Sequence, residues 1–346
     1  MDTTPSGIDS ARQTGRYEIM RCAANRWTLL VALLVVALAP GAEIATAQDA
    51  ELEVSVMAPL ASKSLMLDAV VLADRLVAVG ERGHILISSD DGASWRQVEV
   101  PTRTMLTAVS FIDNQVGIAV GHDSVILRTT DGGDTWELVY SAPEEEAPLF
   151  DVWFADADNG VAIGAYGSHY LTADGGLTWN FEPLGDTDWH LHEFARADNG
   201  KLFVAAEAGY AYRSDDGGEN WVELPSPYEG SYFGVLPLEG DAVLFYGLRG
   251  HLFRSDDAGE NWEEIPTGTV ALLTNGIQLA DGTIVIVGLG GTVLISTDGG
   301  RNFSFHQQTG RRGISAVVET TDGSVLMVGE FGVRTATVTE LTTAAN

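Results

Sequence analysis

Downstream of about residue 60 the chain alternates apolar with small or polar side chains in short runs. Each run stops at a cluster of Gly, Asp, Asn or Ser. Between residues 105 and 140 the runs are 106–111 (LTAVSF), 116–120 (VGIAV), 125–128 (VILR) and 136–140 (WELVY). Asp113-Asn114, Gly121 to Ser124 and Asp131 to Thr135 separate them. A period of two bounded by such residues predicts short antiparallel strands joined by tight turns.

The four-strand group recurs. Equivalent groups begin near Met66, Met105, Leu149, Trp189, Tyr232, Leu272 and Ile314. Between the third and fourth runs of six groups stands Ser/Thr-x-Asp-x-Gly-x-Ser/Thr/Asn-aromatic, with its acids at Asp90, Asp131, Asp174, Asp216, Asp257 and Asp298. The aromatic positions 95, 136, 179, 221, 262 and 303 are spaced by 41, 43, 42, 41 and 41 residues. Upstream of each motif lies Gly-x-x-Gly, altered to Gly121-His-Asp-Ser124 and Ala206-Glu-Ala-Gly209 in two copies. The seventh copy, Gly329 to Gly332, has no Asp motif after it. Four strands per unit of about 42 residues make a propeller blade. The expectation is an all-β, seven-bladed β-propeller over 48–341, with 342–346 as a C-terminal tail. The seventh group has three clear strands. Residues 52–57 (LEVSVM) are expected to supply its missing outer strand and so lock first to last, leaving no open edge.

The Asp motif reads as a structural device. Asp and Ser/Thr side chains bond the amides of a tight turn, Gly takes a conformation that a Cβ would strain, and the aromatic ring buries between blades. Six aspartates, one per blade, ring a rim and do not converge on a pocket.

The first 47 residues differ. Arg12, Arg16, Arg21 and Arg26 precede an unbroken apolar run, 27–39, and Ala45-Thr46-Ala47 offers small residues for cleavage. This is the layout of a signal peptide, 1–47, and the run is short for a membrane span, which needs about 20 residues. Met20 gives a more compact leader and is the suspected true start. The expected location is periplasmic or secreted, or lumenal in a photosynthetic host, with no membrane insertion after cleavage. The only cysteine, Cys22, goes with the leader, so the mature chain relies on packing alone.

The formal net charge is −30, and removing the leader takes away four acids and four arginines, leaving it unchanged. Such a surface repels phosphate backbones, so nucleic acid is excluded as a partner. Against it, five arginines stand out: Arg82 and Arg249 in Gly-x-x-Gly turns, and Arg103, Arg311 and Arg312 in links between blades. These turns and links share one face of a propeller, opposite the Asp motifs. The five form a candidate partner-binding patch through bidentate contacts to carboxylates; ordinary surface arginines are the plain alternative. Arg128, Arg213 and Arg254, just before three motifs, are expected to pair with acids on neighbouring blades. His190 and His192 share a strand face and would need one or two further ligands, with Glu193 the nearest, to hold a metal. No metal, no cofactor and no catalytic residue is expected.

The motif is the Asp-box, or BNR, repeat. With Gly-x-x-Gly before each box and an export leader, it resembles the Ycf48/HCF136 family of photosystem II assembly factors and their bacterial relatives, over about 50–340. That resemblance implies a seven-bladed β-propeller built from Asp-box repeats, without known catalysis, that helps membrane proteins assemble and carries an arginine-rich patch. The chain departs from cyanobacterial members in lacking a cysteine for lipid attachment after the apolar run and in its acidity. The implied role is a scaffold for a membrane-protein or membrane-complex subunit, either in photosystem II assembly or, as in a proteobacterial relative, with a membrane transporter. The alternatives are a sialidase-type glycosidase, for which no spacing picks a Tyr–Glu pair, and a carbohydrate-binding propeller.

Overall fold

The structure is a computed structural model, and it describes residues 53–185 and 188–343. The leader expected at 1–47 lies outside them. Seven antiparallel sheets follow one another along the chain, each with its strands paired in sequence order. The first strand of each blade is innermost: Met66–Val71, Leu106–Phe111, Leu149–Phe154, Leu191–Arg196, Tyr232–Pro237, Leu273–Gln278 and Ile314–Glu319. These strands neighbour one another around the axis, and the first also lies against the last.

Closure is carried by apolar packing between blades. Seven clusters fill the seven junctions. One joins Val77, Val79 and Ile87 of blade one to Val109 and Leu127 of blade two. Another joins Met66, Ala78 and Leu86 of blade one to Leu326 and Val328 of blade seven. The second strand of every blade, such as Leu76–Gly80, is buried along its whole length because blades cover both its faces. Each fully buried Val, Leu or Ile contributes about 1.5–3 kcal/mol. The box aromatics wedge into the same junctions; Trp136 meets Phe111 edge-on at 6.1 Å.

The Gly-x-x-Gly motif is explained by two close approaches. A Cβ on Gly80 would lie 2.3 Å from the carbonyl oxygen of Leu65, just before the innermost strand. A Cβ on Gly83 would lie 2.3 Å from the carbonyl oxygen of Thr102, in the link to the next blade, and Gly83 has φ +69°. In blade two Ser124 accepts the left-handed conformation, and its hydroxyl donates to the Ala147 carbonyl at 2.7 Å.

The ring does not close as the sequence suggested. Among the described residues blade seven has three strands, and its outer strand is not supplied by residues 53–57. The described part of that segment lies against blade one instead. The Ser55 N–H donates to the Val100 carbonyl at 2.9 Å, Val100 N–H returns a bond to Ser55 Oγ at 3.0 Å, and Gln97 bonds both Ala58 and Val56. These bonds tie the segment to the outer strand of blade one. After blade seven comes helix α1 (Val338–Thr343), which crosses the expected start of the tail at 342. Its Leu341, 1% exposed, packs into the junction of blades six and seven.

Candidate functional site

Each blade runs its strands alternately up and down, so the Asp boxes and the Gly-x-x-Gly turns come out on opposite faces. The boxes satisfy themselves. Asp90 Oδ1 accepts from the Ser94 N–H and the Ser88 hydroxyl, both at 2.8 Å, and Asp90 Oδ2 accepts from the Ser94 hydroxyl at 2.6 Å. The Gly92 N–H donates to Ser88 Oγ at 2.9 Å, and the Trp95 indole N–H to the Gly92 carbonyl at 3.1 Å. Asp131, Asp174, Asp216, Asp257 and Asp298 repeat the carboxylate bonds. The indole bond recurs at Trp136 and Trp179 but not at Trp221 or Trp262, whose buried N–H groups have no partner. In Asp174 the bonds from Thr178, opposed only weakly by desolvation, hold the pKa down to about 2. No two boxes share a ligand-sized site through these contacts.

On the same face arginines clasp blade to blade. Arg128 Nε donates to the Gly175 carbonyl of the next box at 2.9 Å. Arg213 reaches the Ala258 carbonyl at 2.8 Å and Glu260 at 3.0 Å, and also meets Asp215. Arg254 bonds the Gly299 carbonyl and Asp256. All three reach across to the next blade, but only Arg213 meets an acid there, Glu260; the cross-blade partners of Arg128 and Arg254 are the Gly175 and Gly299 carbonyls. Arg75 does the same from blade one, reaching the Gly132 carbonyl at 3.2 Å.

The opposite face behaves differently. Arg82, Arg103, Arg249, Arg311 and Arg312 all emerge there and all are exposed. Arg82 and Arg249 occupy the second position of their turns with φ +58°, and both are exposed. Among the described residues, Arg82, Arg249, Arg311 and Arg312 have no carboxylate partner. Arg103 is engaged: its Nε donates to the Val54 carbonyl at 2.8 Å, and Glu53 stands 3.9 Å away. The five do not converge on one point, since they are spread from blade five round to the link between blades one and two. Arg312 stands 5.7 Å from the Phe331 ring, and Arg334, which sequence reasoning had not singled out, stands 5.4 Å from it. Its position on the third strand of blade seven was the only available sign.

A second group near the axis was also missed. Phe150, His192 and Phe233 occupy the second position of the innermost strands of blades three, four and five. His192 stacks on Phe233 at 4.2 Å and on Phe150 at 5.6 Å. Burial, and then the nearby His190, press the His192 pKa down to about 4, so its ring is neutral. His190 turns to Tyr166 at 5.0 Å and lies 3.9 Å from Glu207. Glu193 takes the Val235 N–H at 2.9 Å and is occupied by that role. No group of three or more His, Cys, Asp or Glu among the described residues is placed to hold a metal ion.

The chain was compared with known proteins. It is 38% identical over 137 residues, 39% of its own length and 40% of the relative's, to the Photosystem II assembly lipoprotein Ycf48 of Prochlorococcus marinus (strain MIT 9312). It is 34% identical over 82 residues, 22% of its length and 19% of the relative's, to the chloroplastic Photosystem II stability/assembly factor HCF136 of Cyanidioschyzon merolae (strain NIES-3377 / 10D). Thus these matches span well under two thirds of either relative. Among solved structures, YCF48 bound to D1 peptide superposes with TM-score 0.66 at 18% identity, over 81% of this chain and 94% of that one. The WD40 β-propeller domain of Doa1 does so with TM-score 0.65 at 12% identity, over 82% and 95%. These likenesses show the seven-bladed propeller fold. The family described as Photosynthesis system II assembly factor YCF48 matches residues 87–149 and 140–340, most of the chain, and the chain therefore belongs to the Ycf48 family of photosystem II assembly factors.

Proposed function

We propose that this protein is a non-catalytic scaffold that grips an acidic segment of a membrane-protein subunit on its Gly-x-x-Gly face and assists assembly of the complex to which that subunit belongs. Working in the periplasm, or in a lumen, fits the leader expected at 1–47. One observation carries the reading. Arg82, Arg249, Arg311 and Arg312 stand exposed without a carboxylate partner on a chain of net charge −30. On the opposite face, Arg75, Arg96, Arg213, Arg254 and Arg301 are in ion pairs, while Arg128 bonds a carbonyl and Arg196 has no carboxylate partner among the described residues. Guanidiniums left free amid so many carboxylates are ready to accept bidentate contacts from a partner without first breaking internal ones. Arg103 is the weakest member of the patch, because Val54 and Glu53 already hold it.

A Ycf48 structure bound to a D1 peptide supports a photosystem subunit as the client. A membrane transporter as client is the other proposal, and the two differ in which subunit is captured. The direct experiment is capture of the chain by an immobilised D1 peptide, comparing wild type with Arg249→Glu/Arg311→Glu. Capture should fall while the melting temperature holds. Unchanged capture removes the patch from the account, and turnover of fluorogenic glycosides would replace the scaffold by a hydrolase.

A further inference from the structure

Between the free arginines of blades five and six the same face exposes three apolar side chains: Leu248 at 37%, Val270 at 85% and Leu289 at 44%. Single exposed apolar residues are common and need no explanation. These three stand on adjoining turns and links whose backbones touch in succession. Leu248 neighbours Arg249 in the blade-five turn Leu248–Gly250. The link carrying Val270 lies directly over that turn, since a Cβ on Gly250 would lie 2.4 Å from the Thr269 carbonyl oxygen. Leu289 opens the blade-six turn Leu289–Gly291, whose Gly291 faces the Cα of Arg311 at 3.2 Å from an added Cβ. The Leu289 N–H donates to the Leu272 carbonyl, two residues beyond Val270, at 2.9 Å.

The exposure is held in place. The Thr267 hydroxyl donates to the Gly250 carbonyl at 2.7 Å, and the Ala271 N–H to Thr269 Oγ1 at 3.1 Å, which fixes the link on both sides of Val270. The Tyr228 hydroxyl donates to the Leu248 carbonyl at 3.0 Å. A surface held this way loses little entropy on binding.

We infer that Leu248, Val270 and Leu289 form an apolar seat, framed by Arg249 and Arg311, for the leucine-like side chains of an acidic peptide segment. The inference rests on the partner-binding reading of this face. An acidic segment is repelled by most of this body and attracted where guanidiniums stand unpaired. Apolar anchors beside them add affinity that salt does not screen, and they select among acidic segments by side chain.

The test measures binding of two fluorescent peptides to the full chain, one rich in glutamate with interspersed leucines, the other its twin with serine for leucine. The leucine peptide should bind about tenfold more tightly. Val270→Ser/Leu289→Ser should abolish that difference and leave the serine twin unchanged, while Arg249→Glu should weaken both. Equal affinity for the twins overturns the seat and leaves the face intact. A leucine preference that survives Val270→Ser/Leu289→Ser also overturns it. Binding of neither peptide, or indifference of both to Arg249→Glu, overturns the seat together with the reading beneath it. Vesicles of phosphatidylglycerol and phosphatidylcholine bound in a Val270- and Leu289-dependent way would make the occupant a lipid surface and overturn the peptide.

Discussion

Asp151, on the innermost strand of blade three, accepts the backbone N–H of Phe194, on the innermost strand of blade four, at 2.8 Å. The same bond recurs around the axis. Asp68 accepts from Val109 at 2.9 Å, Glu193 from Val235 at 2.9 Å, and Asn275 from Val317 at 3.0 Å. An innermost strand has a free edge toward the axis, and the preceding blade supplies the acceptor that edge lacks.

Burial shifts these carboxyls toward the protonated state, against the backbone bonds they accept. Burial raises the pKa of Asp151 to about 7 and that of Asp68 to about 6, and Asp68 also acts on Asp151. Glu193 is raised well above its ordinary value by burial and then by Asp151. A folded-state pKa above the unfolded one means that this contribution to stability is full below about pH 4 and is lost as pH rises through 6 to 7. Asp151→Asn keeps the acceptor for Phe194, as Asn275 does for Val317, and removes the charge, but gives up the bond that Asp151 Oδ1 takes from the Val152 N–H at 2.8 Å. Its melting temperature relative to wild type should therefore be higher at pH 8 than at pH 4, where only the lost bond remains. Asp151→Ala, which strands the Phe194 N–H, should cost about 1–3 kcal/mol at either pH. Calorimetric melts of the three proteins across pH decide this.

The Asp boxes act at the other end of the scale. With its pKa held down to about 2, Asp174 stabilises the fold above about pH 4, and that contribution is lost as pH falls through 2. Urea unfolding midpoints of wild type should therefore drop steeply below pH 4. In Asp174→Ala the midpoint should be lower at pH 7 and the acid drop shallower; an unchanged midpoint at pH 7 would show the box to be dispensable.

Arginines on the two faces should respond oppositely. Arg213 has 12% of its side chain exposed and bonds three groups, two of them in the next blade. Arg213→Ala should destabilise by about 1–3 kcal/mol, read by denaturant unfolding. Arg249→Ala, exposed and unpaired, should stay within about 0.5 kcal/mol of wild type.

Helix α1 packs Leu341 into the junction of blades six and seven, beside the outer strand Ser304–Gln307 of blade six. Leu341→Ala should therefore cost about 2–4 kcal/mol and raise hydrogen exchange first in Ser304–Gln307 and Gly332–Ala336, the strands that meet at that junction. Uniform exchange around the wheel would show that the helix carries no such role.

The sequence alone determined the blades. Each box closes on itself within four residues, from Asp90 to Ser94, and each strand is written in a period of two, so local chemistry specifies them without knowledge of the partner. The Gly-x-x-Gly face and its arginines followed from strand alternation. Tertiary structure alone decided the rest. Alternation in residues 52–57 marks an extended segment but does not say which sheet edge it joins, and bonds from Ser55 to Val100, 45 residues away, place it on blade one. The acceptor for Val109 is Asp68, 41 residues earlier, and it is recognised only once two blades stand side by side. Whether an arginine is free or tied is likewise a property of its neighbours in space, because every surface guanidinium looks alike along the chain.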